Sequence, residues 1–341
     1  MSNTLSNQNY SDLPEGKLHS QHSFKRYRFN PTTLRELRPF FKLDNFHGLY
    51  QVLEDWFLIG LAIALSIGAW ENVPIILAFP IYLIAVIIIG ARQRGLANLL
   101  HQATHLTLAK NKLFNFLLGT LASGYLVLQS FTGYTFSHVL NHHPLLGDPE
   151  LDGNYVRLQQ NGMYGEGRCA ENTRSYLKNI FHLATTWNYA RYLVKNKIFN
   201  SHEALWERWM RLTYITVVIA GMLFLGWGNL LLFYWIIPFL TTANWVGNFV
   251  EVAEHYPLMV TAPKVDIYMS RNRLLNPAWC LLLGVHNEHF HLIHHLFERI
   301  PFWHLKTAHK VLMQDEVYAS LNQSQGFYAL LTQIVVPTNH N

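Results

Sequence analysis

The chain is short of charge. Only 14% of its 341 residues are Asp, Glu, Lys or Arg, while half are hydrophobic. An ordinary soluble domain carries about 25% charged residues, so the deficit points toward lipid. Cysteine is scarce as well. Cys169 and Cys280 lie far apart and form no CxxC pair, which argues against both a thiolate metal site and a disulfide framework. Both are expected to be reduced, buried thiols. With 13 prolines and 20 glycines the chain is neither collagen-like nor of low complexity, and no repeat of fixed period is present. A secretory signal is not visible: residues 1–53 are polar and lack a short apolar core with a small-residue cleavage site. The first strongly apolar segment, from Trp56, is therefore expected to be a retained anchor.

Positive charge is also missing locally. No Lys or Arg occurs in residues 43–91 or 212–263, so all 26 basic residues fall outside these stretches. Two apolar stretches, 56–70 and 73–91, are split by Glu71 and Asn72. Each falls slightly short of the roughly 20 residues of a membrane span, and together they predict a helical hairpin. Residues 212–227 and 230–250, split at Gly228 and Asn229, predict a second. Trp56 and Trp70, at the ends of the first stretch, suit interfacial positions, and hairpin tips free of positive charge place everything else, both termini included, in the cytoplasm. Residues 114–133 are apolar but interrupted by glycine, serine and glutamine. A single crossing there would separate the histidines before it from those after it, so a re-entrant or interfacial helix is expected. Residues 274–285 are too short to span and predict an interfacial or buried helix. Residues 1–24 read as disordered, and 24–42, basic with interleaved aromatics, as a segment lying along the membrane. The expected fold is all-α: four spans in two hairpins with a cytoplasmic helical cap. It divides into a polar and basic segment 1–44, a membrane domain 45–312 and a tail 313–341.

What the chain has in excess is histidine, 19 in all. The first cluster is His101-Gln-Ala-Thr-His105, the second His138-Val-Leu-Asn-His142-His143, and the third runs from His286 through His289, His291 and His294 to His295. His255 follows the second hairpin. Residues four apart share a helix face, so His101 and His105 can grip one metal, and His138 and His142 repeat that geometry while His143 points toward a second. A helix continued past residue 91 carries the first pair roughly 15 Å beyond the apolar stretch. The three clusters and His255 offer nine imidazoles, too many for one first-row ion, which takes about four to six ligands. Two metals are the economical answer. A lone histidine is usually a surface or core residue, which covers His19, His22, His47, His182, His202 and His340. His286 and His289 exceed what the third cluster needs and are read as outer-sphere or substrate-facing. Imidazole ligation without cysteine suits Fe, Cu, Zn or Ni; zinc has no redox role, whereas iron activates O2.

These motifs resemble those of the membrane fatty-acid desaturase and hydroxylase superfamily. HQATH matches its HxxxH box and HVLNHH its HxxxHH box. His291-Leu-Ile-His294-His295-Leu-Phe-Glu-Arg-Ile-Pro301 resembles HxxHHLFPxIP, with Leu305 and His309 continuing the pattern. The likeness covers about residues 45–312. One departure is Glu298, where the pattern often has proline, and it is expected to affect a turn rather than the metal. The resemblance implies two non-haem irons held by His101, His105, His138, His142, His143, His291, His294 and His295, with His255 as a further ligand. No catalytic residue apart from the ligands is expected. Residues 248–255 resemble the NxxEH sequence of the alkane hydroxylase branch, making Glu251 a metal ligand or an acceptor orienting a histidine. The implied reaction is reductive O2 activation and hydrogen abstraction from a positioned methylene of an acyl chain, giving a double bond.

No fused haem-binding, flavin or iron–sulfur motif is visible, so electrons must come from a ferredoxin or cytochrome b5. Such a donor, or an acyl carrier protein, would dock on Arg157, Arg168, Arg174, Lys178, Arg191, Lys195 and Lys197; a solvated or headgroup-facing surface explains the same charges. The acidic run Asp148-Pro-Glu150-Leu-Asp152 is read as capping a helix or ordering the second box. The expected partners are a hydrophobic substrate and the lipid bilayer, with no nucleic acid. Rival readings are a hydroxylase or ketolase acting on an alkane, carotenoid or other lipid and, from another class, a membrane haem protein or metal transporter. The last two would place histidine or charge within the spans, where the central parts of both hairpins have none.

Overall fold

The computed structural model describes residues 23–335 except 161, 165–168, 181 and 324, with backbone only for 169–172 and 183–185. The expectations about residues 1–22, His340, both termini, Arg168 and the side chain of Cys169 lie outside the described residues. Among those described the chain is helical throughout, and its only extended pairing is a single bridge between Lys25 and Val265.

The first hairpin forms where the charge pattern placed it. Its first helix, His47–Asn72, starts where the Asp44 carboxylate accepts hydrogen bonds from the Phe46 and His47 amides. It stops at Val73, whose extended backbone is what a following proline favours. The second helix, Ile75–Thr104, has 30 residues, a rod of about 45 Å. It continues unbroken out of its apolar half into the segment carrying His101. Near its middle, Gly90 lets segment Phe239–Ala243 come close: a Cβ there would stand 2.5 Å from the Thr242 Cβ and 2.8 Å from the Ala243 amide nitrogen.

Among the described residues, three helices are long and apolar enough to cross a membrane: these two and Gly228–Thr261. The fourth expected stretch lies in Leu205–Phe224, a helix that opens with Glu207, Arg208 and Arg211. These charges hold structure. Arg211 is fully buried against Glu203 at 2.6 Å, and the Glu207 carboxylate accepts from the Phe131 and Thr132 amides and the Tyr125 hydroxyl. The long helices turn large apolar side chains outward, among them Phe57, Leu65, Ile76 and Phe224.

Residues 114–133 form a bent element. Lys112–Val127 and Phe131–His142 meet at 86°. The chain leaves from His105 and returns at His138, whose ring centroid is 5.5 Å from that of His105. The segment therefore begins and ends at the same end of the helix bundle. Its irregular middle needs hydrogen-bond donors in an apolar setting. Trp56 Nε1 donates to the Ala122 carbonyl at 2.8 Å, Tyr214 to Leu121 at 2.8 Å and Trp235 Nε1 to Leu126 at 3.2 Å. Trp56 is half-buried, with its ring stacked on Trp235. The segments flanking 45–312 pack onto it: Phe29 and Leu37 before it and Tyr318 after it join the main core.

Candidate metal centre

The nine histidines converge in two groups. His101, His105, His138, His143 and His294 form one; His142, His255, His291 and His295 form the other. Within each group the candidate ligand atoms lie within 4.8 Å of one another. All nine residues are buried except His295, which is half-buried.

The second box is divided differently from the i, i+4 expectation. Thr135–His142 is a π-helix, and the His143 amide donates to the His138 carbonyl, five residues back, at 3.0 Å. The wider turn brings i and i+5 onto one side. His138 and His143 therefore share the first group, with Nε2 atoms 3.0 Å apart, and His142 swings to the second. In the ordinary α-helix His291–Leu296 the rule holds: His291 and His295 share the second group, and His294 joins the first with its Nε2 2.8 Å from His101 Nε2. His255, at the end of its helix, places Nε2 2.9 Å from His291 Nε2.

The outward Nδ1 atoms face acceptors. His142 Nδ1 is 2.9 Å from Asp152 Oδ1, and the other Asp152 oxygen takes the Gly147 amide. His101 Nδ1 is 3.1 Å from Asn98 Oδ1, and His291 Nδ1 lies 3.4 Å from Glu254 Oε1. His255 Nδ1 faces the Met269 carbonyl at 3.3 Å. Glu298 Oε2 stands between two rings, 3.4 Å from His105 Nδ1 and 3.6 Å from His143 Nδ1. This corrects the expectation that Glu298 only shapes a turn: the carboxylate that replaces proline reaches back to two box histidines. An acceptor on Nδ1 fixes the tautomer that leaves the Nε2 lone pair free to ligate.

The donor set fits a pair of metal ions. His105 Nε2 and His142 Nε2 are buried with no hydrogen-bond partner. Burial, reinforced by neighbouring imidazoles, holds His291, His294 and His295 well below the ordinary histidine range, so their rings are neutral at pH 7. Inward-facing neutral imidazoles at this density repel protons and suit cations.

Glu251, His286 and His289 stand apart from both groups. The Glu251 carboxylate is taken by Arg157. Burial pushes His289 down to about 4, and its Nδ1 faces the Gly284 carbonyl at 3.2 Å. His286 reaches the centre indirectly. Its Nε2 is 3.0 Å from Asp55 Oδ2, its Nδ1 is 3.5 Å from the Asn98 amide nitrogen, and Asn98 in turn holds His101. Gly95 leaves room for this chain, since a Cβ there would stand 2.9 Å from Asp55 Oδ2. Sequence reasoning missed Glu254 and Asn98. Asn98 carried a usable signal, standing one turn before His101 on the same helix face. Glu254 also serves a buried charge network: Arg273 reaches it at 2.9 Å and Glu288 at 3.7 Å, and Arg94 meets Glu288 at 3.0 Å.

Membrane-length helices leading into two clusters of buried imidazoles define a membrane oxidoreductase of the histidine-box type. The fatty acid desaturase family model matches residues 77–325, and this chain belongs to that family. It is 35% identical over 304 residues to the dihydrorhizobitoxine desaturase of Bradyrhizobium elkanii, an alignment covering 86% of this chain and 82% of that protein. The chain is an enzyme, an oxidoreductase of the desaturase type.

Proposed function

We propose that the two histidine groups hold two non-haem irons and that the protein is an O2-dependent desaturase inserting a carbon–carbon double bond into its substrate. The observation that carries this reading is the sorting of nine buried imidazoles into two adjacent sets, with acceptors behind six of them. Bound there, iron would supply reductive activation of O2 and the abstraction of hydrogen. The chain's own residues do the rest: Asp152, Glu254, Glu298 and Asn98 hold rings in their ligating tautomer, and buried side chains around the cluster exclude bulk water.

Removing a hydrogen pair supplies only half of the reducing equivalents that O2 needs to become water, so an external donor such as a ferredoxin or cytochrome b5 is required. Arg174, Lys178, Arg191 and Lys195 are exposed and form the docking surface we propose for the donor or a carrier protein, while Arg157 and Lys197 are half-buried and line the cavity beside the histidine groups. Reversing charge at Arg191 and Lys195 tests it; unchanged donor kinetics would sink the docking idea. The absence of Lys and Arg from 43–91 and 212–263 supports a cytoplasmic site beneath two hairpins, with 112–142 re-entrant. A fatty-acyl chain is the substrate the family resemblance suggests, and the outward apolar faces of the long helices support delivery of a lipid.

Two measurements on purified protein test the reading. Metal analysis should find two irons per chain without haem. Mass spectrometry of cells expressing the protein should find a product lighter by one hydrogen pair. A hydroxylated product instead would move the protein to the hydroxylase or ketolase branch.

A further inference from the structure

The first helical hairpin carries a line of buried polar side chains that ends on the first histidine group. Its far end is Asp55, on helix His47–Asn72, whose side chain is fully buried. Arg92 of the neighbouring helix meets one oxygen of this carboxylate at 3.3 Å and donates to the Leu281 carbonyl at 2.6 Å. The other oxygen lies 3.0 Å from His286 Nε2. Neither of these two atoms has another hydrogen-bond partner among the described residues. A buried polar atom left without a partner is costly, so each serves the other.

The backbone is adapted to this contact at two places. His286 adopts φ 56° and ψ 34°, a left-handed conformation uncommon outside glycine. Such backbone persists where its surroundings fix it, and it gathers at functional sites. Gly95 supplies the space: a Cβ there would stand 2.9 Å from Asp55 Oδ2 and 3.1 Å from His286 Cε1. Arg92 alone would suffice to pair the carboxylate and tie the two helices together. The His286 ring, from the segment leading into the third cluster, is not needed for that.

The contacts have a direction. His101 Nε2 faces its own group, 2.8 Å from His294 Nε2, so a ligating His101 carries its proton on Nδ1. The acceptor for that proton is Asn98 Oδ1, at 3.1 Å. The Asn98 amide nitrogen is then turned to His286 Nδ1, 3.5 Å away, which must accept. The His286 proton is thereby on Nε2, facing Asp55. Turned over, the Asn98 amide would instead donate to His101 Nδ1 and drive the His101 proton onto Nε2, where it would block a metal. Asp55 opposes this. By holding the His286 proton on Nε2 it leaves a bare lone pair on Nδ1, which repels an amide oxygen.

We propose that Asp55 and His286 are positioning residues for the metal centre: the carboxylate fixes the tautomer of His286, His286 fixes the orientation of the Asn98 amide, and Asn98 holds His101 with Nε2 free to ligate. This rests on the two-iron reading above and deepens it. Asp55 touches no ligand, yet it sets where a ligand keeps its proton, and so couples the packing of the first hairpin to the first histidine group.

The test exchanges the carboxylate between two positions. Purified full-length protein in detergent, with metal counted on each sample, is challenged with a ferrous-iron chelator below its melting temperature. Asp55→Asn should release one of the two irons about three- to tenfold faster, less than the roughly 10- to 100-fold expected of a partner touching a ligand. Asn98→Asp should restore retention in the Asp55→Asn background. An aspartate at 98 offers His101 an acceptor in either orientation, so the His101 tautomer no longer depends on Asp55. His286→Asn, a side chain that tolerates left-handed backbone, should release iron as Asp55→Asn does and be rescued in the same way; it carries the test if Asp55→Asn does not fold. Release unchanged in the single variants would overturn the inference. So would an Asp55→Asn/Asn98→Asp protein that loses iron as fast as Asp55→Asn, which would reduce Asp55 to a packing partner of Arg92. Wild-type protein that holds no metal would instead bring down the two-iron reading, and this inference with it.

Discussion

The two histidine groups have similar inner atoms and different support. Behind the second group stand Asp152, whose side chain is fully buried, and Glu254, nearly so and tied to the fully buried Arg273. Behind the first stand the neutral amide of Asn98 and Glu298, whose side chain is 37% exposed. A carboxylate acting on an imidazole in a dry site orients it more firmly than one that water can reach. The second group is thus the rigid partner and the first the more exchangeable one. The first has five rings to the other's four, which spreads its ligation over more side chains.

The largest effect that would break this comparison is loss of a ring. His255→Ala and His105→Ala should each bring activity to background and lower iron from two to about one per chain, read by metal analysis; two irons retained in either variant would show that the ring is no ligand. Next comes the support. Asp152→Asn should weaken iron retention by about 10- to 100-fold in a chelator challenge. Glu298→Gln should weaken it less, because its side chain is partly open to solvent even though the Oε2 that faces both rings is buried. The reverse order would invert the rigid and exchangeable assignments. Smaller again, Glu251→Gln should leave iron content unchanged, since its carboxylate is engaged by Arg157; a loss of iron would return it to the ligand set.

The smallest effect is on the metal-free protein and concerns pH. His291, His294 and His295 titrate well below the ordinary histidine value in the fold, through burial first and neighbouring rings second. The unfolded chain binds protons on them below about pH 6.5 while the folded one does not. They contribute nothing to pH dependence above that value and favour unfolding increasingly below it. Thermal melts of the metal-free protein should fall from about pH 7 to pH 5, and iron should shift that fall to lower pH because protons must then displace it. Melting temperatures flat across that range would contradict the burial of these rings.

The first hairpin was legible because lipid allows few solutions: an apolar run without positive charge, broken at Glu71 and Asn72, has little to become except paired helices. The nine ring positions were legible because imidazoles do not cluster without a reason. The division of the second box was not, since nothing in His138-Val-Leu-Asn-His142-His143 signals a π-turn. Glu298 was legible as a departure but not as a contact, because its reach to His143 and His105 crosses 155 and 193 residues of chain.

The sequence by itself determined the helical class, the first apolar hairpin and the ring inventory, because these follow from local periodicity and charge. Only the tertiary structure decided which ring joins which group and which carboxylate stands behind it. Each of those is a relation between residues distant in sequence, set by helix phase and packing.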